Sequence, residues 1–252
     1  MMRGPHGPWR PRARKLRLAG LGGLAGFGLL AGLGLLTGCG GGSSSGVASA
    51  PTLSLTSTVA GTTSAPVVIS FSFSEDVGTS FTADDVMLSA GVKSTFTRVS
   101  AQAYALLVVP PANAAGSLTV SVAANAYAGP SGLPGVAAAS LTQAFDTQAP
   151  TLTLSSSGAG TVARGEVTLG FSFSEDVGSS FTADDVQISF SSGTGTKGAL
   201  TRQSATQASL VVTPPAGAAG RFDVFIAQGV FSDLAGNASP SAYFGAQQYD
   251  TR

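Results

Sequence analysis

Residues 71–86 read FSFSEDVGTSFTADDV and residues 171–186 read FSFSEDVGSSFTADDV, differing only at Thr79/Ser179. Upstream of each copy the apolar positions alternate: Val67, Ile69, Phe71 and Phe73 in the first, Val167, Leu169, Phe171 and Phe173 in the second. Period two with small polar residues between is the pattern of a strand buried on one face. The alternation returns in Leu118/Val120/Val122 and in Phe222/Val224/Ile226. No stretch from 50 onward carries a helical stripe with caps, so the body is expected to be all-β.

The repetition extends beyond these segments. Ala50-Pro51-Thr52-Leu53 recurs as Ala149-Pro150-Thr151-Leu152, and Val109-Pro110-Pro111-Ala112 returns as Thr213-Pro214-Pro215-Ala216. The reading is two tandem domains of about 100 residues each, 50–148 and 149–252. In the second copy strands are expected near 151–155, 166–174, 185–190, 198–203, 207–213, 221–227 and 243–249. Seven short strands separated by Gly/Pro/Ser/Thr turns describe an immunoglobulin-like β-sandwich. With a single cysteine, Cys39, no intersheet disulfide is available, and stability must come from core packing.

The chain has 252 residues and a formal net charge of zero, which hides a segregation. Six basic residues (Arg3, Arg10, Arg12, Arg14, Lys15, Arg17) precede position 18 without a single acid, leaving seven basic and thirteen acidic residues after it, a balance of −6. An acidic body without a Lys/Arg stripe is a poor partner for nucleic acid. The only histidine, His6, lies in the leader, so the body has no Ser-His-Asp or Cys-His catalysis and no zinc site on His/Cys ligands.

Behind the basic stretch, Leu18 to Leu36 is apolar and uncharged, followed by Thr37, Gly38 and Cys39. A basic n-region, an apolar h-region and small residues before a break make a secretory signal peptide, expected over 1–38. The alternative is an uncleaved transmembrane helix, which the run's many glycines weaken. Leu36-Thr37-Gly38-Cys39 resembles the lipobox of bacterial lipoproteins. That resemblance implies cleavage before Cys39, lipid (diacylglyceryl, palmitate-type acyl chains) on its sulfur, and membrane attachment through that lipid. Gly40 after the cysteine, rather than Asp, implies the outer membrane. Residues 39–49 then read as a Gly/Ser tether with a reach of about 20 Å.

From 50 to 252 the chain resembles the bacterial Ig-like modules found in tandem in surface adhesins and other envelope proteins. The resemblance rests on Phe73-Ser74-Glu75 and Phe173-Ser174-Glu175, on Phe81 to Val86 and Phe181 to Val186, on the loop Asp233 to Asn237, and on the linker Asp146 to Thr151. It implies a non-catalytic spacer, adhesion or protein-interaction module, and some such arrays bind calcium between domains.

The strand order places the segment carrying Glu175 and Asp185, the loop Asp233 to Asn237 and the linker residue Asp146 at one end of the second copy. Asp146, Glu175, Asp185, Asp233 and Asn237 are therefore candidate calcium ligands, since calcium takes roughly six to eight oxygens from such groups. The competing reading is that they shape turns: Thr82 to Asp85 and Thr182 to Asp185 have capping-box spacing, and Asp233 and Asn237 are ordinary turn formers. In the first copy Gly129-Pro130-Ser131-Gly132-Leu133 replaces the acidic loop. A glycosidase pair such as Glu75 with Asp85 is disfavoured because the same acids occur in both copies and the body lacks tryptophan. Lys93 and Lys197 read as isolated residues in loops of different surroundings. A carbohydrate-binding module is the alternative function, with Tyr104, Tyr127, Tyr243 and Phe244 as its candidate contacts.

Overall fold

The computed structural model describes residues 48–137 and 139–252. The expected signal peptide, lipobox and Cys39, with most of the tether, lie outside the described residues.

Among the described residues, fifteen strands form four sheets. The first eight are β1 (Leu53–Ser57), β2 (Thr62–Thr63), β3 (Val67–Phe73), β4 (Val86–Leu88), β5 (Val92–Arg98), β6 (Ala103–Val109), β7 (Ala115–Val122) and β8 (Ala139–Asp146). They make one sheet in the order β1-β3-β6-β5 and a second in the order β2-β8-β7-β4. The remaining seven are β9 (Leu152–Ser156), β10 (Val167–Phe173), β11 (Gln187–Phe190), β12 (Thr196–Ser204), β13 (Gln207–Thr213), β14 (Ala219–Ile226) and β15 (Tyr243–Asp250). They make the sheets β12-β13-β10-β9 and β11-β14-β15. Four strands against three, in the order D-E-B-A over C-F-G, is the arrangement of an immunoglobulin constant-type sandwich.

Each sandwich has its own core. In the second, Leu169 and Phe171 of β10 and Leu210 and Val212 of β13 face Phe222, Val224 and Ile226 of β14. In the first, Ile69, Phe71, Leu106 and Val108 meet Leu118, Val120 and Val122 in the same way. The repeated FSFSED…SFTADD segment supplies the centre of both. Alternation turns Phe171 and Phe173 inward, and Phe181, arriving from the following loop, sits edge-on to each with ring centroids 5.1 Å apart. Phe81 packs likewise against Phe71, tilted at 5.3 Å, and edge-on against Phe73 at 4.9 Å. Edge-to-face geometry adds about 0.5–1.5 kcal/mol per pair beyond the area buried.

After Phe81 and Phe181 the chain makes one turn of 3-10 helix, Ala83–Asp85 and Ala183–Asp185. Asp85 Oδ2 accepts from the Thr82 N–H at 2.7 Å and from Thr82 Oγ1 at 2.8 Å; Asp185 repeats this with Thr182 at 2.7 and 2.9 Å. Lys93 and Lys197 do not lie in loops of different surroundings. They open the equivalent edge strands β5 and β12, and each donates its Nζ to the carbonyl of the 3-10 turn, Ala83 O or Ala183 O, at 2.6 Å. A strand-edge lysine that caps a neighbouring turn is invisible to a reading that assigns β5 and β12 by apolar alternation, because both strands are mostly exposed.

A buried glutamine fixes the seam between the sheets. Gln247 is 4% exposed, accepts from Ser156 Oγ at 2.9 Å and donates to Thr161 O at 2.8 Å, tying β15 to the segment after β9. Gln143, at 3% exposure, donates to Gly61 O at 2.6 Å in the first sandwich.

Candidate functional site

The strand order decides where the acids go. Glu175 follows β10, Asp233 follows β14, and Asp146 ends β8, immediately before the chain enters the second sandwich. One carboxylate oxygen from each of Asp146, Glu175 and Asp233 lies within 4.8 Å of the other two. Asp233 is buried and the other two are half-buried. Asn237 closes the group, its amide nitrogen donating to Asp233 Oδ2 at 2.7 Å and to Asp146 O at 3.0 Å. Its backbone N–H also donates to Asp233 Oδ1 at 2.8 Å. In this orientation Asn237 presents hydrogen-bond donors, holding Asp233 and the linker rather than offering an oxygen. Asp185 is elsewhere, engaged with Thr182 as the cap just described. Of the five candidate ligands, the structure gathers three carboxylates with Asn237 beside them and leaves Asp185 apart.

The electrostatics of the trio are uncompensated. Among the described residues the ion pairs join Arg98 to Asp76, Arg221 to Asp223 and Arg252 to Asp250, none of which involves the three. Glu175 Oε1 is buried without a hydrogen-bond partner. Burial first, and then the charges of Asp233 and Asp146, push the Glu175 carboxyl up to about 6. Three converging carboxylates, one with an orphaned oxygen, form a donor set suited to a hard cation such as calcium.

The first sandwich supplies an internal comparison. Glu75 occupies the place of Glu175, and its Oε1 is likewise buried without a partner. Gly129 stands where Asp233 does: Gly129 N–H bonds to Leu133 O as Asp233 N–H bonds to Asn237 O. A Cβ on Gly129 would collide with Glu75 Oε1. Glu75 thus fills the space that a second acid takes in the other copy, and with Leu133 in place of Asn237 no cluster forms there among the described residues.

The junction also has direct contacts. Ser64 Oγ, in the turn between β2 and β3, donates to Ala235 O in the Asp233–Asn237 loop at 2.8 Å. Thr147 Oγ1 donates to Pro111 O at 2.6 Å and accepts from the Ala114 N–H at 3.2 Å, anchoring the linker to the first sandwich.

The aromatic candidates separate cleanly. Tyr104 and Tyr127 are core residues at 3% and 2% exposure, and Tyr243 accepts the Leu152 N–H at 3.1 Å. Phe244 alone is open, at 75% exposure.

Residues 146–248 match the model of a family described as bacterial Ig-like domain. No curated protein matches the chain. Among solved structures, the adhesin InvE of Yersinia pseudotuberculosis is similar at 14% identity over 79% of this chain and 58% of that one, with a TM-score of 0.28. InvD of the same organism gives 14% identity, the same coverages and a TM-score of 0.31. Titin domains A168–A170 give 12% identity over 81% of this chain and 66% of that one, with a TM-score of 0.26. The chain thus spans 58% of the two Yersinia chains.

Proposed function

We propose that this chain, whose second sandwich is a bacterial Ig-like domain, is a non-catalytic envelope lipoprotein serving as a spacer and adhesion module, stiffened by calcium at its junction. The domains divide at 148/149, and each is built to fold around its own core. The observation that carries the reading is the meeting of Asp146, Glu175 and Asp233 where the two sandwiches join, with Asn237 and Ser64 bridging the same place. Asp146 and the Asp233 loop belong to different sandwiches. An ion held by both restrains the angle between them.

Asp146, Glu175 and Asp233 hold the ion in this reading, with backbone carbonyls and water completing its shell. Calcium supplies positive charge to three acids that lack a basic partner. The body of the chain has no histidine to serve as a base beside the trio, and Asp85, held by Thr82, is engaged as a turn cap rather than as a partner of Glu75. The leader delivers the body to the outer membrane and Cys39 anchors it through lipid.

Two measurements test the proposal. Calorimetric titration of calcium into the purified chain is expected to show one site, lost in Asp233→Gly, the residue that the first sandwich carries at this place. A flat titration in the wild type refutes the metal site. Metabolic palmitate labelling is expected to disappear in Cys39→Ala, and label retained in that variant refutes the anchor.

A further inference from the structure

The two sandwiches differ sharply along one strand. In the first, Ser121 of β7 faces Ser140 of β8; at the same register in the second, Phe225 of β14 faces Phe244 of β15. The Phe225 and Phe244 rings lie 5.1 Å apart on the outer face of the sheet. One residue further, Leu141 packs against the first core, while the second sandwich has Gly245. Beside Gly245 a groove of about 260 Å³ lies between β9 and β15, lined by Leu154, Leu169, Phe222, Val224 and Phe244, with Leu154 leaning over the glycine. The second copy thus carries a glycine where the first has a leucine, and an aromatic pair beside it whose Phe244 is exposed.

The edge beside this groove is bridged at its C-terminal end and open, among the described residues, at Phe244 and Ala246. Ala163 N–H donates to Gln248 O and Asp250 N–H donates to Ala163 O, so Gln248 and Asp250 turn their main-chain groups toward the segment after β9. Alternation along the strand turns those of Ala246 and Phe244 the same way, where no described strand meets them. A row of free N–H and C=O groups is a template for another strand. Among the other edges, β5 and β12 carry register shifts at Lys93/Phe96 and Lys197/Leu200, β4 and β11 have only three and four residues, and β1 and β9 have five, against eight in β15.

We infer that β15 pairs antiparallel with β15 of a second copy of this chain, joining two β11-β14-β15 sheets into one six-stranded sheet. The segment is self-complementary about Gly245. With Gly245 opposite its own copy, Phe244 of each chain faces Ala246 of the other, and these residues exchange four main-chain hydrogen bonds. Gly245 then occupies a pair without hydrogen bonds, where Cα atoms approach to about 4.5 Å. Tyr243 to Gln248 carry no charge, so two acidic bodies meet here without repulsion along the strand. The Phe225–Phe244 ledge covers the partner's Ala246. Such an interface is two-fold and closed, and it forms a dimer rather than a fibre.

The test is sedimentation equilibrium of the purified full-length chain in detergent across the micromolar range. The expected result is a reversible dimer. Ala246→Pro removes an outward N–H without touching the β14 ladder, and Phe244→Ser installs the residue of the first sandwich. Each is expected to weaken dimerisation roughly tenfold or more while far-ultraviolet circular dichroism stays unchanged. A wild-type monomer throughout the range overturns the inference, as does a dimer that neither folded variant weakens, since association then runs through other residues.

Discussion

Glu175 sits with one oxygen buried and unpartnered, facing two other acids. Its carboxyl, pushed up from 4.5 to about 6, binds a proton more readily in the folded chain than in the unfolded one. Stability from this group is therefore complete below pH 4.5 and falls as pH rises to about 6, above which the ionised carboxylate is a standing penalty. Without calcium, Glu175→Gln is expected to be more stable than wild type at pH 7.5, by about 1 kcal/mol after allowance for solvent screening. The advantage should vanish below pH 4.5. Melting curves of both proteins in EDTA at the two pH values check this, and equal melting at pH 7.5 would show that Glu175 is under no strain. Asp185 provides the contrast. As a cap on Thr182, its replacement by alanine is expected to cost about 1 kcal/mol in chemical denaturation and to leave any calcium response intact.

At the scale of elements, the core strands were legible because their alternation is strict. The expected strand at 207–213 coincides with β13, and the others fall within two residues of the observed limits. The convergence of Asp146, Glu175 and Asp233 was legible too, since consecutive antiparallel strands return the B–C and F–G loops to the end where the chain enters. Asp185 was misplaced with them because nearness in sequence to Glu175 says nothing of which way a capped turn faces. Gln143 and Gln247 escaped notice for a different reason. Each occupies an inward position of an alternating strand, where a polar residue looks like an interruption until its partners are seen. Gln247→Leu would leave Ser156 Oγ and Thr161 O without their partner, and a loss of about 2 kcal/mol in urea unfolding is expected. A variant as stable as wild type would mean that water replaces those bonds.

At the scale of the molecule, one sandwich is written twice, and the differences between the copies mark where something beyond folding is at work. Thr147 and Thr251 make the same contacts at the two domain ends, to Pro111 and Pro215. Among the described residues the three-acid cluster appears only at the entrance to the second sandwich, where a preceding sandwich supplies Asp146. The calcium response of the melting temperature tests this account most directly. The purified chain is expected to melt higher in millimolar calcium than in EDTA, since an ion that binds only the native state must stabilise it, and Asp233→Gly should melt alike in both. A wild-type melting temperature that does not move between calcium and EDTA would contradict the account.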